Sequence, residues 1–388
     1  MKTVRYGIIG VGNMGRAHAI SLLGEIKNAE LAAVCDTSKE RLEWAEENLP
    51  ADVRRYSSPE ELIKAKTVDA VLIATPHYDH PTLAIDALNA GYHVLIEKPA
   101  GVYTKAVQEM NDTAAAHPEL KFGIMYNQRT NPLYQKLREL IQSGELGEIR
   151  RTNWIITNWY RTQHYYNSGG WRATWGGEGG GVLLNQDPHQ LDLWQWITGM
   201  MPKRVRAFCH FGKYRDIEVE DDVTAFVEYE NSATGLFITT TGEAPGTNRF
   251  EINGDNGKIV VENGTLTFWR LRTPEPKFNA EFAGGFGTPE CWKCEIPVKP
   301  GGGDQHKGIL QNFTNAILHN EPLLAPGEEG ILGLTLSNAM YLSSWTDNWV
   351  ELPIDADLFH EKLMEKIKNS TFQKIAAPDK AFEVSGSH

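Results

Sequence analysis

"VRYGIIGVGNMGRAH", residues 4–18, is the stretch on which the fold turns. An apolar run leads into Gly10, Gly12 and Gly15, and a helical pattern follows. In a strand–turn–helix of this kind the first glycine allows the tight turn and the second lets a pyrophosphate approach the backbone. The third permits close packing of helix on strand. Asn13 and Met14 lie in the turn itself and are expected beside the same phosphates. A second strand-like run, "ELAAVCD", ends in Asp36, about 20 residues beyond Gly15. A carboxylate there accepts hydrogen bonds from ribose hydroxyls and repels a 2′-phosphate, so the expected cofactor is NAD, with NADP less favoured. Capping the next helix is the competing role for Asp36.

Outward from this point, "DAVLIAT", "YHVLIEKP" and "KFGIMYN" repeat the alternation of apolar run and helical pattern. Strands this uniformly apolar are buried on both faces, as in a parallel sheet covered by helices. Beyond the helical stretch "TNPLYQKLRELIQSGELGEIR" the pattern changes. "RRTNWIITNWY", "RVRAFCHF", "VTAFVEYE", "TGLFITTTG" and "RFEINGDNGKIVVENGTLTFWR" alternate apolar with polar residues, and "DNG" and "ENG" are hairpin turns. The expected fold is therefore α/β plus α+β: an N-terminal Rossmann doubly wound parallel sheet, then a domain with a large, mainly antiparallel sheet having one solvated face. The expected division is residues 1–127, residues 128–375 and an unstructured tail at 376–388. Two late helical patterns are expected near 305–319 and 328–347.

The 388 residues carry a formal charge of −12, which argues against general attraction to a nucleic-acid backbone. No apolar run approaches the roughly 20 residues that cross a bilayer, and we expect a cytoplasmic protein. Four cysteines in so long a chain fit a reducing compartment. "CWKC" at 291–294 has the spacing of half a zinc site, but no second Cys/His pair completes it, so no metal is expected.

"IATPHYDH" (73–80) and "IEKPAG" (96–101) lie where strand runs end, the edge at which open parallel sheets bind ligands. Thr75, Pro76, His77, His80 and Glu97 are thus candidates for cofactor contact. Lys98, between an apolar strand and a proline, should be partly desolvated, which lowers its pKa and lets it share a proton with a substrate hydroxyl. A surface lysine paired with Glu97 is the alternative.

Taken together, "GIIGVGNMG", Asp36, "TP…H", "EKPAG", "YNQR" (126–129), "WR" (171–172) and "GGG…NQDPH…LD" occur in the order of the glucose-fructose oxidoreductase/inositol dehydrogenase/rhizopine-catabolism family, which the chain resembles over almost its whole length. The resemblance implies a nicotinamide-dependent oxidoreductase of sugars, glycosides or inositols, with an open-faced sheet that packs against another subunit in a homodimer or homotetramer. It implies that Lys98 and His189 meet over the nicotinamide, and that Asn127, Trp171 and Arg172 join the cofactor site. The family's Asp is matched here by Asn185, while Asp187 follows two residues later. His189 would accept the hydroxyl proton and Lys98 would hold the same oxygen. Asn185 can position but cannot carry a proton. Asp187, before Pro188, is either a helix cap or a catalytic partner.

The aromatic-rich "NWYRTQHYYNSGGWRATW" (158–175) offers Tyr160, Tyr165, Tyr166 and Trp175 to a sugar, and His306 in "GGGDQHKG" is a further candidate contact. Two alternatives use the same parts: cleavage of a glycoside through transient ring oxidation and elimination, and a non-catalytic NAD or sugar sensor.

Overall fold

The apolar runs become strands, and their order in the sheet creates the crevice. In the computed structural model, which describes residues 2–374, β1 (Val4–Ile9), β2 (Ala29–Cys35), β3 (Arg54–Tyr56), β4 (Ala70–Ile73), β5 (His93–Ile96) and β6 (Phe122–Ile124) form one sheet. All neighbours are parallel, in the order β3-β2-β1-β4-β5-β6. The order reverses between β1 and β4, and ligands bind beyond the strand ends at such a switch point. β3 carries no apolar run, being three residues long, two of them arginines, with Tyr56 half-buried against the core. The expected tail at 376–388 lies outside the described residues.

The second sheet contains β7 (Ile149–Ile156), β8 (Arg204–Phe211), β9 (Glu220–Glu228), β10 (Thr234–Thr240), β11 (Asn248–Gly254), β12 (Gly257–Glu262), β13 (Thr265–Leu271), β14 (Cys291–Ile296) and β15 (Val350–Glu351). It runs β14-β13-β12-β11-β7-β10-β9-β8-β15, antiparallel except where β7 meets β10. The tight turns β11–β12 and β12–β13 fall at "DNG" and "ENG". Alternation along each strand turns one face inward. There Trp154 stacks on Phe250 at 4.2 Å, and Trp194, from helix Pro188–Thr198, stacks on Phe237 at 5.3 Å. Removing about 200 Å² of each indole from water is worth on the order of 5 kcal/mol before entropy is charged against it. The two helices expected late in the chain are Gln305–His319 and Gly330–Thr346.

Helix Gln305–His319 returns to the first sheet: the Tyr6 hydroxyl lies 2.7 Å from Thr314 Oγ1, and the Phe313 ring packs 6.5 Å from that of Tyr6. The expected division at 127/128 thus sets this helix apart from the strand it touches. A buried ion cluster ties the site's helix in place. Arg129, from the short turn after β6, grips both oxygens of Asp192 at 2.8 and 2.6 Å and reaches Glu329 at 2.5 Å. Cys291 and Cys294 lie three apart on β14, hence on opposite faces, which separates the two thiols that a shared metal would need.

Candidate active site

At the end of β1 the three glycines have separate, measurable reasons. Gly10 has φ +96°, and a Cβ there would stand 2.6 Å from the Ala74 carbonyl oxygen. A Cβ on Gly15 would be 1.9 Å from the oxygen of Gly10, so turn and helix close only on glycine. At Gly12 the nearest atom to a Cβ would be an Arg41 guanidinium nitrogen at 4.0 Å, leaving the open backbone cradle that a dinucleotide pyrophosphate requires. Asp36 lies just beyond, its Oδ2 accepting from Val11 N at 2.7 Å and its Oδ1 from Ser38 N at 2.9 Å. The cap of helix Lys39–Asn48 is Ser38, not Asp36. Glycine cradle, acid and cleft together fit a dinucleotide.

A cleft of about 450 Å³ runs from Asp36 past Gly12, Asn13, Met14, Thr75, Pro76 and His77 to Glu97, Lys98, Trp171, Arg172 and Asn185. His77 packs its edge on Trp171 at 5.3 Å and is held by the Glu178 carbonyl. His80 is buried instead between the carbonyls of Pro99 and Thr75, bracing the two loops from beneath. Asn127 is buried behind the cleft, its amide on Gln305.

The far end of the cleft collects the groups that can move a proton. Lys98 follows β5, and its Nζ donates to the Asn185 carbonyl oxygen at 2.9 Å. Burial lowers its pKa, with the charges of Arg172 and Arg161 adding to the effect and Glu97 and Glu178 opposing it. Asn185 belongs to a π-helical turn, Val182–Gln186, and its side-chain amide donates to Glu178. His189 is the second residue of the helix that follows, Pro188–Thr198. Burial, then the positive charges of Lys98 and His306, hold its pKa well below the ordinary histidine value, so the ring is neutral at pH 7. Among the described residues its Nδ1 is buried without a hydrogen-bond partner. His306 stands 5.6 Å from His18, which in turn bonds Glu97 Oε1 at 2.6 Å.

Asp187 does not cap the helix that follows it. Its backbone (φ −92°, ψ 6°) is not the extended one from which an N-cap side chain reaches back, and it makes no capping bond. Among the described residues neither oxygen has a hydrogen bond within ordinary geometry, Thr239 being the nearest hydroxyl to bear on it, and burial pushes the carboxyl well above the usual carboxylate range. The charges bearing on it are those of Glu220 and Arg161.

Of the aromatics, Tyr165 reaches the cleft's edge, its hydroxyl accepting from Arg172 at 2.9 Å and Gln186 at 3.1 Å. Trp175 packs instead among Tyr341, Trp345 and Phe211, and Tyr166 is buried on Thr241. Their apolar bulk went to the core. Tyr160 stays exposed, under Arg215. Glu178 and Glu220 went unremarked in the sequence. Glu178 had a signal, being the lone acid in "GGEGGG". Glu220 had none, because its partners, the backbone N–H groups of Gly181 and Leu183 and the Tyr341 hydroxyl, come from distant segments.

Comparison with known proteins gives the following matches. Residues 4–123 match "Oxidoreductase family, NAD-binding Rossmann fold", and residues 134–260 match "GFO/IDH/MocA C-terminal domain". Inositol 2-dehydrogenase 1 of Paenarthrobacter aurescens is 36% identical over 285 residues, 68% of this chain and 77% of that protein. 1,5-Anhydro-D-fructose reductase of Ensifer adhaerens is 26% identical over 353 residues, 90% of this chain and 98% of its own. Among solved structures, the WlbA dehydrogenase of Bordetella pertussis with NADH and UDP-GlcNAcA superposes with a TM-score of 0.76 at 26% identity, covering 91% of this chain and all of that one.

Proposed function

The chain belongs to the GFO/IDH/MocA oxidoreductase family, with its NAD-binding Rossmann fold, and on that premise we propose that it oxidises a secondary ring hydroxyl of a sugar, glycoside or inositol, using His189 as base and Lys98 to hold the hydroxyl. The observation that supports this reading is a desolvated lysine, Lys98, lining the cleft away from Asp36, with its charge bearing on a buried, neutral His189. Bound NAD⁺ supplies a hydride acceptor, so the substrate's C–H leaves with its electron pair. His189 takes the hydroxyl proton, which a neutral imidazole does readily. Lys98, anchored on the Asn185 carbonyl, donates to the same oxygen and stabilises the negative charge as it develops. Asn185, placed where the resemblance sets an acid, binds both Lys98 and Glu178 without titrating. Asp36 at the cofactor end favours NAD over NADP.

The test is to follow NADH formation with NAD and NADP against inositols, free sugars and glycosides. We expect stoichiometric NADH with NAD, and a loss of about 10²–10⁴-fold in kcat for Lys98→Ala and His189→Ala. Product release with only catalytic NAD would favour glycoside cleavage instead. A homodimer or homotetramer assembled on the open sheet face accompanies this proposal. It is supported by Phe208 and Phe226, 52% and 38% exposed on adjoining strands of that face.

A further inference from the structure

Beside the acid–base pair lies an arginine that the proposed mechanism does not use. The backbone of Arg161 is fixed by its N–H on the Thr241 carbonyl at 3.0 Å. Its guanidinium lies over the Trp159 ring at 5.4 Å and the Tyr165 ring at 5.2 Å. Among the described residues its one side-chain hydrogen bond is to the Tyr160 carbonyl at 3.1 Å. Among the described residues no carboxylate pairs with it, in contrast to Arg129, which holds two. Stacking of this kind fixes the plane of a guanidinium while leaving its edge free to donate.

The chain of contacts from this arginine to the reacting centre is short. Tyr165, under Arg161, receives hydrogen bonds from Arg172 and Gln186. Arg172 lines the cleft with Lys98 and Asn185, and Gln186 follows Asn185 on the same turn. The Gln186 Oε1 is buried with no partner among the described residues, an acceptor in want of a hydroxyl. Lys98 and Arg172 line this end of the cleft, and the charge of Arg161 bears on Lys98. The acids facing these three cations are Glu97, which bonds His18, and Glu178, 3.6 Å from Arg172 with its pKa raised by burial, so two acids stand against three cations and Arg161 is the one without a carboxylate among the described residues. The cofactor's pyrophosphate belongs at the other end, on the Gly12 cradle. In a chain whose formal charge is −12, a local surplus of positive charge points to an anion brought by the ligand.

We propose that the substrate is an acidic sugar or cyclitol derivative, carrying a carboxylate or phosphoryl group that Arg161 binds while Lys98 and His189 act on a ring hydroxyl. This rests on the function proposed above. A guanidinium edge meets either group through paired N–H donors, and the fixed plane reduces the entropy lost on binding.

The experiment uses matched ligands: glucose, glucuronate and glucose 6-phosphate, with myo-inositol as a second neutral ring. Each is titrated calorimetrically into the NADH-loaded protein, which needs no turnover, and each is assayed for NAD reduction. We expect an anionic member to bind at least tenfold more tightly than the neutral ones, with the preference shrinking as salt is added. Arg161→Gln should weaken the anionic ligand at least tenfold more than the neutral ones, and Arg161→Lys should retain part of the preference. Whether glucuronate or the phosphate gains more identifies the group. Equal binding of neutral and anionic members, no binding of either anionic member, or an equal loss for all ligands in Arg161→Gln would overturn the proposal. Anion-selective binding without any NAD reduction would retain Arg161's role and refute the oxidation.

Discussion

His189 and Lys98 differ from ordinary side chains only in where the backbone puts them. Burial and nearby cations depress the histidine, and burial with two arginines depresses the lysine. Oxidation in the proposed mechanism needs His189 neutral and Lys98 charged. Activity should therefore rise with pH through the His189 value, below 6.5, and fall again through the Lys98 value, below 10.5. A profile of kcat/KM against pH checks this, and an acid limb centred above 6.5 would contradict it. At this scale the sequence was most informative where a residue's chemistry depends on its immediate neighbours. The desolvation of Lys98 follows from an apolar strand before it and a proline after it. Asp187 is the opposite case: its surroundings, Thr239, Glu220 and Arg161, come from other segments, and no local pattern announces a buried acid whose pKa is pushed up.

The element that organises the centre is the π-helical turn Val182–Gln186, and the glycines before it are there for packing. A Cβ on Gly180 would come within 2.2 Å of the Tyr341 hydroxyl, and one on Gly181 within 2.0 Å of the Glu220 carbonyl oxygen. The Glu220 side chain then accepts from the N–H groups of Gly181 and Leu183, both at 2.9 Å, and from Tyr341 at 2.6 Å. Burial raises this carboxyl from 4.5 to about 7 despite those bonds. Between these values the folded state holds a proton that the unfolded state has released. The contribution of Glu220 to stability is thus full below pH 4.5 and is lost as pH rises through 7. Replacing it with Gln should flatten the decline in stability over that window, measured by urea unfolding at a series of pH values; an unchanged slope would exclude Glu220 as the source. Sequence pattern revealed the apolar body of helix Pro188–Thr198 but not the π turn before it. One extra residue per turn leaves no mark in periodicity over five residues.

Over the whole molecule, the two sheets were legible because each has its own pattern: uniformly apolar runs for the buried parallel sheet, alternation for the half-solvated one. The return of helix Gln305–His319 to β1 was not legible, since an amphipathic pattern does not say which sheet it will cover. The uncovered face carries the prediction about assembly. Phe208→Glu with Phe226→Glu should shift the species seen by analytical ultracentrifugation towards monomer, and an unchanged mass would place the subunit contact elsewhere or remove it. The central claim, hydride transfer to NAD⁺ from a ring hydroxyl with His189 as base, has a more direct test. NADH formation is measured for wild type and for His189→Ala on the best substrate of the carbohydrate and inositol panel. The account predicts NADH in step with oxidised product for wild type and a loss of at least about a hundredfold in the variant. Turnover of His189→Ala at the wild-type rate would contradict it.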